Sequence, residues 1–423
     1  MTTTSPIPRT SALAPFRIRS YRFQWPADLL TSWAFEMEML ILGWYVLVET
    51  GSVLWLTVYG ALLSVGTLIA PILGVASDRI GHRPLLCTMR AIYACVGFTL
   101  MILAFTGALN PVLVLCMAAI SGMVRPSDLG LRGALIAETM PAPQLTSAMG
   151  LSRTTSDSAR VVGALAGAGL FAAFGMGPAY VVITLFYVTA MTLTWFAVVK
   201  PVDPPAAGAA AVEAPPRHSP WHELKEGLVH IWNTPSLLAL IWMALLVNFT
   251  AFPLTHGLLP YVAREIYATD QTGLGYLVAS LSFGAMAGGV WMAARTMRNL
   301  PRLMFVSAVI WHALLILFAL MPSIVPGLTA AVLVLLVAGV LQSFTMVAHT
   351  VLLLQLSGPR FRGRIMGVRM LMIYSLPLGL LISGPLIETI GFTATATIYA
   401  SLGVVFSMVI AWRYGAYLKR NSA

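Results

Sequence analysis

The sequence predicts an all-α membrane protein with twelve transmembrane helices arranged as two bundles of six. Three observations predict this class. Hydrophobic residues make up 58% of the 423 residues and charged residues only 9%, whereas a soluble domain carries about 25% charged residues. The apolar residues form twelve stretches long enough to cross a bilayer, and the basic residues between them fall on one side. This composition excludes an ordinary soluble enzyme, a disordered protein and a nucleic-acid-binding protein.

The apolar stretches give the predicted spans. A helix needs about 20 mainly apolar residues to cross the hydrocarbon core. Glycine and proline mark the turns between stretches, as at Gly51 and Pro111. The predicted spans cover residues 25–48, 53–76, 84–106, 111–137, 145–173, 178–199, 236–260, 273–294, 303–321, 327–356, 366–387 and 392–412.

Basic residues predict the orientation of these spans. The loops on one side carry only Arg264, beside Glu265 and Asp270. Since basic loops stay in the cytoplasm, we expect both termini there and a multi-pass protein of the bacterial inner membrane, the plasma membrane. The basic residues on the cytoplasmic side are Arg9, Arg17, Arg19, Arg22, Arg79, Arg83, Lys200, Arg217, Lys225, Arg295, Arg298, Arg302, Arg360, Arg362, Arg364, Arg413, Lys419 and Arg420.

A linker divides the chain after the sixth span. The segment PVDPPAAGAAAVEAPPRHSP is rich in proline and alanine and predicts a flexible connection. The helical spacing of apolar residues from Trp221 to Trp232 then predicts a short amphipathic helix on the inner membrane surface. The predicted domains are an N-terminal tail (1–24), a first bundle (25–199), the linker with its helix (200–235), a second bundle (236–412) and a C-terminal tail (413–423).

Six plus six helices favour a transporter built around a central site, although composition alone is compatible with a channel or a membrane-embedded enzyme. The sequence contains no G-x-x-x-x-G-K-[ST] loop, so the chain is not itself an ATPase. None of its three cysteines forms a CxxC pair, which argues against a metal site. We therefore predict no enzyme activity, no metal and no cofactor. The expected partners of this predicted monomer are a small-molecule substrate and the lipid bilayer.

The loop after the second span has a distinctive spacing, G-x-x-x-D-R-x-G-x-R, from Gly74 to Arg83. Gly74 lets a neighbouring helix approach closely. Asp78 suits the positive N-terminus of a helix, and Arg79 and Arg83 suit acids or helix C-termini. Together with Gly81, these residues predict contacts that form and break as two bundles rock.

This spacing resembles the signature loop of the major facilitator superfamily, and the resemblance covers essentially the whole chain. It implies two six-helix bundles and transport by alternating access. More narrowly, the chain resembles the branch that holds bacterial macrolide and enterobactin exporters. That branch implies proton-coupled efflux of an amphipathic small molecule.

Two spans carry the narrower resemblance. The first span is similar to the pattern M-Q-x-x-A-x-x-W-L-V-x-x-L-T-x-S, with Trp44 matching and Glu38 where glutamine is usual. The fifth span reads ARVVGALAG, close to A-R-x-x-G-P-x-x-x-G, with Ala164 in place of the proline. The resemblance implies that Gly163 and Gly167 shape the interface between the bundles.

The loop before the eleventh span also matches the branch. It holds Arg362 and Arg364, and PLG follows at Pro377. The resemblance implies a gating role for both arginines. The corresponding signature loop of the second half is reduced to RTMRN, which begins at Arg295.

Two predicted spans carry sets of regularly spaced charges, and a charge is expensive at the bilayer centre, costing on the order of 3 kcal/mol or more. Each span has an Arg-Asp-Arg set with spacings of three and four residues. Residues so spaced share one helix face, so we expect each set to form a single stripe towards one cavity. The sets are Arg125, Asp128 and Arg132 in the fourth span, and Arg153, Asp157 and Arg160 in the fifth.

The depth of these charges predicts the substrate site. Four arginines stand against two aspartates, and one glutamate from the first span still leaves a positive excess. Guanidinium groups would hold an anionic or zwitterionic substrate group. We interpret Arg132 and Arg153, near the cytoplasmic ends, as structural. The predicted central set is Glu36 or Glu38, Arg125, Asp128, Asp157 and Arg160.

An acid in the first span is the predicted proton carrier. Burial favours the neutral form of a carboxyl group, and a nearby guanidinium favours the charged form. We predict Glu38 as the carrier, with Glu36 as the competing candidate. Their separation of two residues puts them on different helix faces, so at most one points squarely into the cavity.

The second half has few polar side chains within its spans. We interpret His256, His312 and His349 as hydrogen-bonded core residues. Prolines within spans, such as Pro253, predict kinks. The charged candidates therefore lie almost entirely in the first half.

The sequence favours a secondary active transporter that couples efflux of an amphipathic, anionic or zwitterionic small molecule to the proton gradient. Proton-coupled uptake of an organic anion and translocation of a lysophospholipid remain as alternatives. From a different class, a membrane sensor or a membrane enzyme also remains. A sensor would be expected to lose the signature loop, which is intact here.

Overall fold

The computed structural model describes residues 14–67, 79–197, 220–295, 299–325 and 327–422, together with Ile69, Leu73, Ser77 and Met297. Every regular element within these residues is a helix. The prediction of an all-α fold is therefore confirmed.

Six helices in the first part of the chain follow the first six predicted spans. The first ends at Gly51, whose φ of 64° is one that glycine adopts without strain. Most of the second span beyond residue 67 lies outside the described residues. The helices are α1 (Arg19–Thr50), α2 (Val53–Leu62), α3 (His82–Thr106), α4 (Pro111–Thr139), α5 (Ala142–Phe174) and α6 (Met176–Phe196).

The second part begins with a short helix where the sequence predicts an amphipathic one. Longer helices follow, and one predicted span, 366–387, is divided in two. The helices are α7 (Pro220–Asn233), α8 (Pro235–Phe252), α9 (Gln271–Ala293), α10 (Leu300–Ile324), α11 (Leu328–Leu356), α12 (Gly358–Met372), α13 (Ser375–Ile390) and α14 (Phe392–Ser422).

Ten helical segments of the described chain are long and apolar enough to cross a membrane, against twelve predicted. The two predicted spans that fall short are the first and the second. Helix α1 carries Asp28, Glu36 and Glu38, which lower its hydropathy. The described part of the second span, Val53–Thr67, is too short to qualify.

Two breaks in regular helix within the described second part of the chain lie at prolines. Past Phe252, helical turns continue through a π turn, Pro253–Gly257, a short α turn, Leu259–Tyr261, and a second π turn, Val262–Ile266. The apolar span ends at Gly257, close to the predicted end at residue 260. The gap between α12 and α13 includes Ile373. Because a proline ring clashes with the carbonyl four residues earlier, Pro377 accounts for that gap.

The helix ends gather at two ends of the molecule. We call the end that holds residues 14–18, 139–142 and 357–364 the basic end, and the other the opposite end. At the basic end, His82 lies 3.1 Å from Glu138. At the opposite end, the Tyr45 hydroxyl donates to the Leu109 carbonyl over 2.9 Å.

The first part of the chain, residues 14–197, and the second part, residues 220–422, meet along two helix pairs. Helix α2 packs against α13, and α5 packs against α9. A Cβ at Gly275 would lie 2.6 Å from the Cβ of Ala168, and one at Gly384 would lie 2.6 Å from the Thr57 hydroxyl. The absence of these two side chains lets the parts touch near the opposite end.

Polar contacts join the two parts at the same end. The Ser52 hydroxyl donates to Glu388 over 3.1 Å, and the Arg264 guanidinium donates to the Leu47 carbonyl over 2.6 Å. The opposite end is therefore closed in this conformation.

Gly275→Ala should open the opposite end, because the added methyl group cannot fit against Ala168. Spin labels at Glu49 and Thr389, both exposed beside the contacts that close this end, should move apart by several ångströms in pulsed-dipolar measurements. Gly289→Ala is the matched control on the same helix, since its added Cβ would be 3.4 Å from its nearest neighbour. An unchanged label distance in Gly275→Ala would contradict this account of closure.

Candidate functional site

Three charged residues meet in the middle of the first part, and we call them the charged triad. Glu36 on α1 lies between Arg125 on α4 and Arg160 on α5. Its Oε1 is 3.6 Å from Nη2 of Arg125 and 3.9 Å from Nε of Arg160. Two cations share one carboxylate oxygen, so the triad has a formal charge of +1.

Two glycines position α5 against α1 at the triad. A Cβ at Gly163 would lie 2.8 Å from the Cβ of Glu36, and one at Gly167 would lie 2.9 Å from the Cα of Met37. A larger residue at either position would push the helices apart. These glycines therefore set the distance between Glu36 and the charges of α5.

Arg125 has a second partner besides Glu36. Its guanidinium stands over the ring of Phe35. A cation over an aromatic face gains about 0.5–1 kcal/mol at exposed sites and about 2 kcal/mol or more when desolvated. Phe35 therefore helps hold Arg125 on the α1 side of the site.

A cavity of about 200 Å³ lies on the opposite-end side of the triad, and both parts of the chain line it. We call it the large cavity. Its polar lining includes the triad and His256. Its apolar wall includes Leu40, Leu56, Leu63, Leu274, Val278, Leu281, Leu376 and Leu380. The site thus combines a positively charged patch with an apolar surface.

A second cavity of about 70 Å³ lies on the basic-end side of the triad, and we call it the small cavity. Phe35 and the triad line both cavities. The remaining lining of the small cavity is mainly polar: Thr31, Ser32, Tyr93, Asp128, Leu129, Arg132 and Ser156.

A buried ion-pair cluster lies beside the small cavity. Asp28 pairs with Arg90, which also donates to the Thr194 hydroxyl. Arg132 Nε lies 3.8 Å from Asp28 Oδ1, and its Nη2 lies 2.5 Å from Asp128 Oδ2. Two acids stand against two bases, so the cluster is formally neutral. It joins α1, α3 and α4.

Arg90 was not among the site residues predicted from the sequence. This side chain is fully buried, and it lies within the predicted span 84–106. Arg90 could have been found in the same way as Arg125, because both are arginines inside an apolar stretch. Its partner Asp28 lies on another helix, so sequence spacing gave no hint of the pair.

Glu38 faces a different environment from Glu36. It is 4% exposed, accepts a hydrogen bond of 2.7 Å from the Tyr187 hydroxyl, and lines neither the large nor the small cavity. Of the two acids, Glu36 therefore borders the cavities.

All three charges of α4 border the small cavity, whereas Arg160 is the only one of the three predicted α5 charges that does. Arg125 and Arg160 join the triad, whereas Asp128 and Arg132 join the buried cluster. Asp157 lies 3.2 Å from Arg153 on its own helix and lines neither cavity. Residues seven apart share a helix face but stand about 10 Å apart along the axis, so Arg153 lies outside both cavities that Arg160 borders.

Three of the predicted gating residues after the second span are described. Gly81, with φ 95°, immediately precedes α3 and requires glycine. Arg83 donates to the Trp195 carbonyl near the end of α6, a favourable place for a cation. Arg79 is exposed. Gly74, Asp78 and the side chain of Arg362 lie outside the described residues.

Arg364 links α7 to α12. It pairs with Glu226 on α7, and the ring of His230 stacks on Phe361 with centroids 4.2 Å apart. Helix α7 is therefore attached to the basic end of the second part.

The three histidines differ in their surroundings. His312 hydrogen-bonds to Thr250 over 2.9 Å, and His349 bonds to a backbone carbonyl over 2.9 Å, as expected of core residues. His256 bonds to Thr255 over 2.9 Å but also lines the large cavity. His256 was interpreted as a core residue, but it also faces a cavity. One sequence does not predict how a helix is rotated about its axis, so this contact could not be foreseen.

Comparison with known proteins identifies the fold and the family. The profile of the Major Facilitator Superfamily matches residues 25–381. Proteins named "Multidrug efflux pump Tap" from Mycobacterium tuberculosis and Mycobacterium bovis are 25% identical over 406 residues, which cover 92% of this chain and 92% of theirs.

Solved structures with the same fold include several transporters. The nucleoside transporter NupG has a TM-score of 0.69 at 16% identity, covering 95% of this chain and 100% of that one. The POT family transporter PepTSo has a TM-score of 0.71 at 12% identity, covering 94% of this chain and 98% of that one. The human organic anion transporter MFSD10 has a TM-score of 0.60 at 16% identity, covering 93% and 99%.

Asp28→Asn should destabilise the protein by about 3–5 kcal/mol, because it leaves Arg90 without its buried counter-charge. The free energy of unfolding in a denaturing-detergent titration measures the effect. Glu265→Gln, which breaks an exposed pair with Arg264, is the control and should cost at most about 1 kcal/mol. A stability of Asp28→Asn equal to that of the control would contradict the structural role of the cluster.

Proposed function

The chain belongs to the major facilitator superfamily, and we propose that it is a secondary active transporter that exports an amphipathic small molecule by alternating access. The observation that carries this proposal is the charged triad facing a large cavity lined by both parts of the chain. A central site between two bundles is the usual transporter arrangement. The name of the multidrug efflux relatives supports the outward direction.

The basic end lies in the cytoplasm in this proposal, with both termini on that side and twelve spans between them. Basic loops stay in the cytoplasm, and the loops of the opposite end carry only Arg264. The membrane is the inner membrane of a bacterium, and the transporter works as a monomer.

The two moving bodies are residues 25–199 and 236–412, joined by 200–235 and flanked by the tails 1–24 and 413–423. Packing supports this division. Helix α1 packs mainly on α5 and α6, and α14 packs mainly on α8 and α10. The two bodies meet along the pairs α2–α13 and α5–α9.

The conformation is one that opens towards the cytoplasm. The glycine and polar contacts between the two bodies lie near the opposite end. Towards the basic end, the Arg153 side chain on α5 is 74% exposed, and Val290 and Trp291 on α9 are also exposed. A substrate would therefore enter the large cavity from the cytoplasm.

The substrate carries one anionic group on an apolar body. The excess positive charge of Arg125 and Arg160 over Glu36 favours an anion, and guanidinium groups bind carboxylate, sulfonate or phosphate groups through paired hydrogen bonds. The leucine-rich wall of the large cavity suits the apolar part.

The proton gradient supplies the energy, and Glu36 carries the proton. Glu36 borders both cavities and lies between two guanidinium groups. The charge of a carboxylate in such a place responds to solvent access and to the position of its cationic neighbours, and both change when a cavity alternates between two sides.

Two other functions remain as candidates. Uptake of an organic anion would use the same triad with the opposite direction of flux. Lysophospholipid translocation is favoured by an apolar groove of about 580 Å³ between α5, α9 and α11, lined among others by Leu165, Phe283 and Val332. The following experiment distinguishes these candidates.

Flux into and out of proteoliposomes should depend on the charge of the substrate. 1-Naphthalenesulfonate and N,N,N-trimethyl-1-naphthylammonium share a ring system and carry fixed opposite charges. We expect transport of the sulfonate, driven by a pH gradient, and no transport of the ammonium compound. Arg160→Gln should slow sulfonate flux by about tenfold to a hundredfold through loss of a charge-assisted contact.

Arg153→Gln is the matched control on the same helix and should leave sulfonate flux unchanged, because Arg153 lines neither cavity. Faster flux of the ammonium compound would refute the anionic substrate. Movement of fluorescent lysophosphatidylcholine, without flux of either naphthalene compound, would favour the lipid candidate. The sign of the driving pH gradient separates efflux from uptake.

Glu36→Gln should abolish the response of sulfonate flux to the pH gradient, because the amide cannot take up a proton. Glu38→Gln should retain the response, since Glu38 lies outside both cavities and bonds to Tyr187. Loss of the response in Glu38→Gln, with retention in Glu36→Gln, would identify Glu38 as the carrier instead.

A further inference from the structure

Glu36 borders two cavities, one on each side of it. The large cavity borders it towards the opposite end, and the small cavity borders it towards the basic end. An amphipathic molecule bound to Arg125 and Arg160 would cover Glu36 from the large cavity. The small cavity then remains as the polar surroundings of this carboxyl group.

The small cavity has the properties of a hydrated site. Its volume of about 70 Å³ exceeds the roughly 30 Å³ that a water molecule occupies in the liquid. Hydroxyl groups line it from three helices: Thr31 and Ser32 on α1, Tyr93 on α3 and Ser156 on α5. Water enters buried cavities that are polar and offer several hydrogen-bond partners.

Two buried polar atoms of the lining have no protein partner. The Tyr93 hydroxyl and Oδ1 of Asp128 make no hydrogen bond with any described residue, although the two residues are 2% and 1% exposed. A buried acceptor or donor left unpaired costs about 1–3 kcal/mol. Both residues line the small cavity, where water would satisfy them.

Charged and titratable groups from its own helix and from three others surround Asp128. Arg132 on the same helix pairs with its other oxygen, Oδ2. Helix α1 contributes Asp28 and Glu36, α3 contributes Arg90 and Tyr93, and α5 contributes Arg160. Asp128 and Glu36 thus lie on the same small cavity, and each has an arginine partner.

We propose that water in the small cavity carries protons between Glu36 and Asp128. The Glu36 carboxyl gives its proton to a water molecule, a proton passes from that water chain to the Asp128 carboxylate, and Glu36 is left ionised. Tyr93 positions the water through its hydroxyl group. This route rests on the proposed role of Glu36 in proton coupling, and it lets Glu36 exchange its proton while substrate fills the large cavity.

X-ray hydroxyl-radical footprinting of the purified wild-type protein tests the water directly. Radicals form from water, so a buried tyrosine is labelled quickly only where water contacts it. Tyr180 is the internal reference, because it is fully buried, its hydroxyl is also unpaired, and it lines neither cavity. We expect Tyr93 to be labelled several-fold faster than Tyr180. Equal rates would overturn the proposal whether or not the protein is a transporter.

Transport of 1-naphthalenesulfonate tests the proton route. Tyr93→Phe keeps the ring that stacks on Tyr187 at 5.4 Å and removes only the hydroxyl. We expect it to slow gradient-driven flux several-fold while leaving equilibrium exchange, which needs no net proton movement, unchanged. Tyr180→Phe, the matched control, should change neither rate.

Asp128→Asn provides a second variant and should slow gradient-driven flux several-fold more than exchange, although loss of the Arg132 partner in the buried cluster also lowers the stability of the protein. Equal slowing of exchange and gradient-driven flux would overturn the route and indicate a structural role. A wild-type protein that ignores the pH gradient would overturn both the route and the proposed coupling. If Tyr93 is labelled no faster than Tyr180 and the wild-type protein still responds to the pH gradient, the water route is overturned and the proposed proton coupling stands.

Discussion

A charge in an apolar interior must be compensated, and this requirement organises the first part of the chain. Desolvation costs several kcal/mol per ion even after relaxation, so the buried arginines lie where acids from other helices reach them. The cluster of Asp28, Arg90, Asp128 and Arg132 meets the requirement completely. The charged triad meets it only in part, because one carboxylate serves two guanidinium groups.

The two groups of charged residues differ in net charge. We assign the neutral cluster mainly a structural role and the charged triad a functional one. The neutral cluster fixes α1, α3 and α4 to one another and has no net charge for a ligand, although its Asp128 borders the small cavity. The triad has one uncompensated cation beside a cavity, so an anion or a proton changes its balance. The second part of the chain supplies an apolar wall and His256. The two parts of the chain therefore make different contributions to one site.

Sequence reasoning predicted what depends on composition and on position along a helix. Ten of the twelve spans, the family and the placement of Arg125 and Arg160 in one site follow from apolar stretches, motif spacing and depth. It could not predict contacts that depend on how a helix is rotated against two others. The partner of Arg90, the burial of Glu38 against Tyr187 and the cavity-facing position of His256 are all of this kind.

The ring beneath Arg125 has a consequence for the whole cycle. Glu36 gains and loses charge in the proposed mechanism, and a substrate comes and goes, so each ionic partner of this guanidinium is temporary. The face of Phe35 attracts a cation without a formal charge of its own and does not titrate. Arg125 therefore keeps one favourable contact when Glu36 becomes neutral. This contact favours the same position of its side chain throughout the cycle. Phe35, which precedes Glu36 in the sequence, thus holds in place the guanidinium group of Arg125, which both Glu36 and the substrate contact in the proposed mechanism.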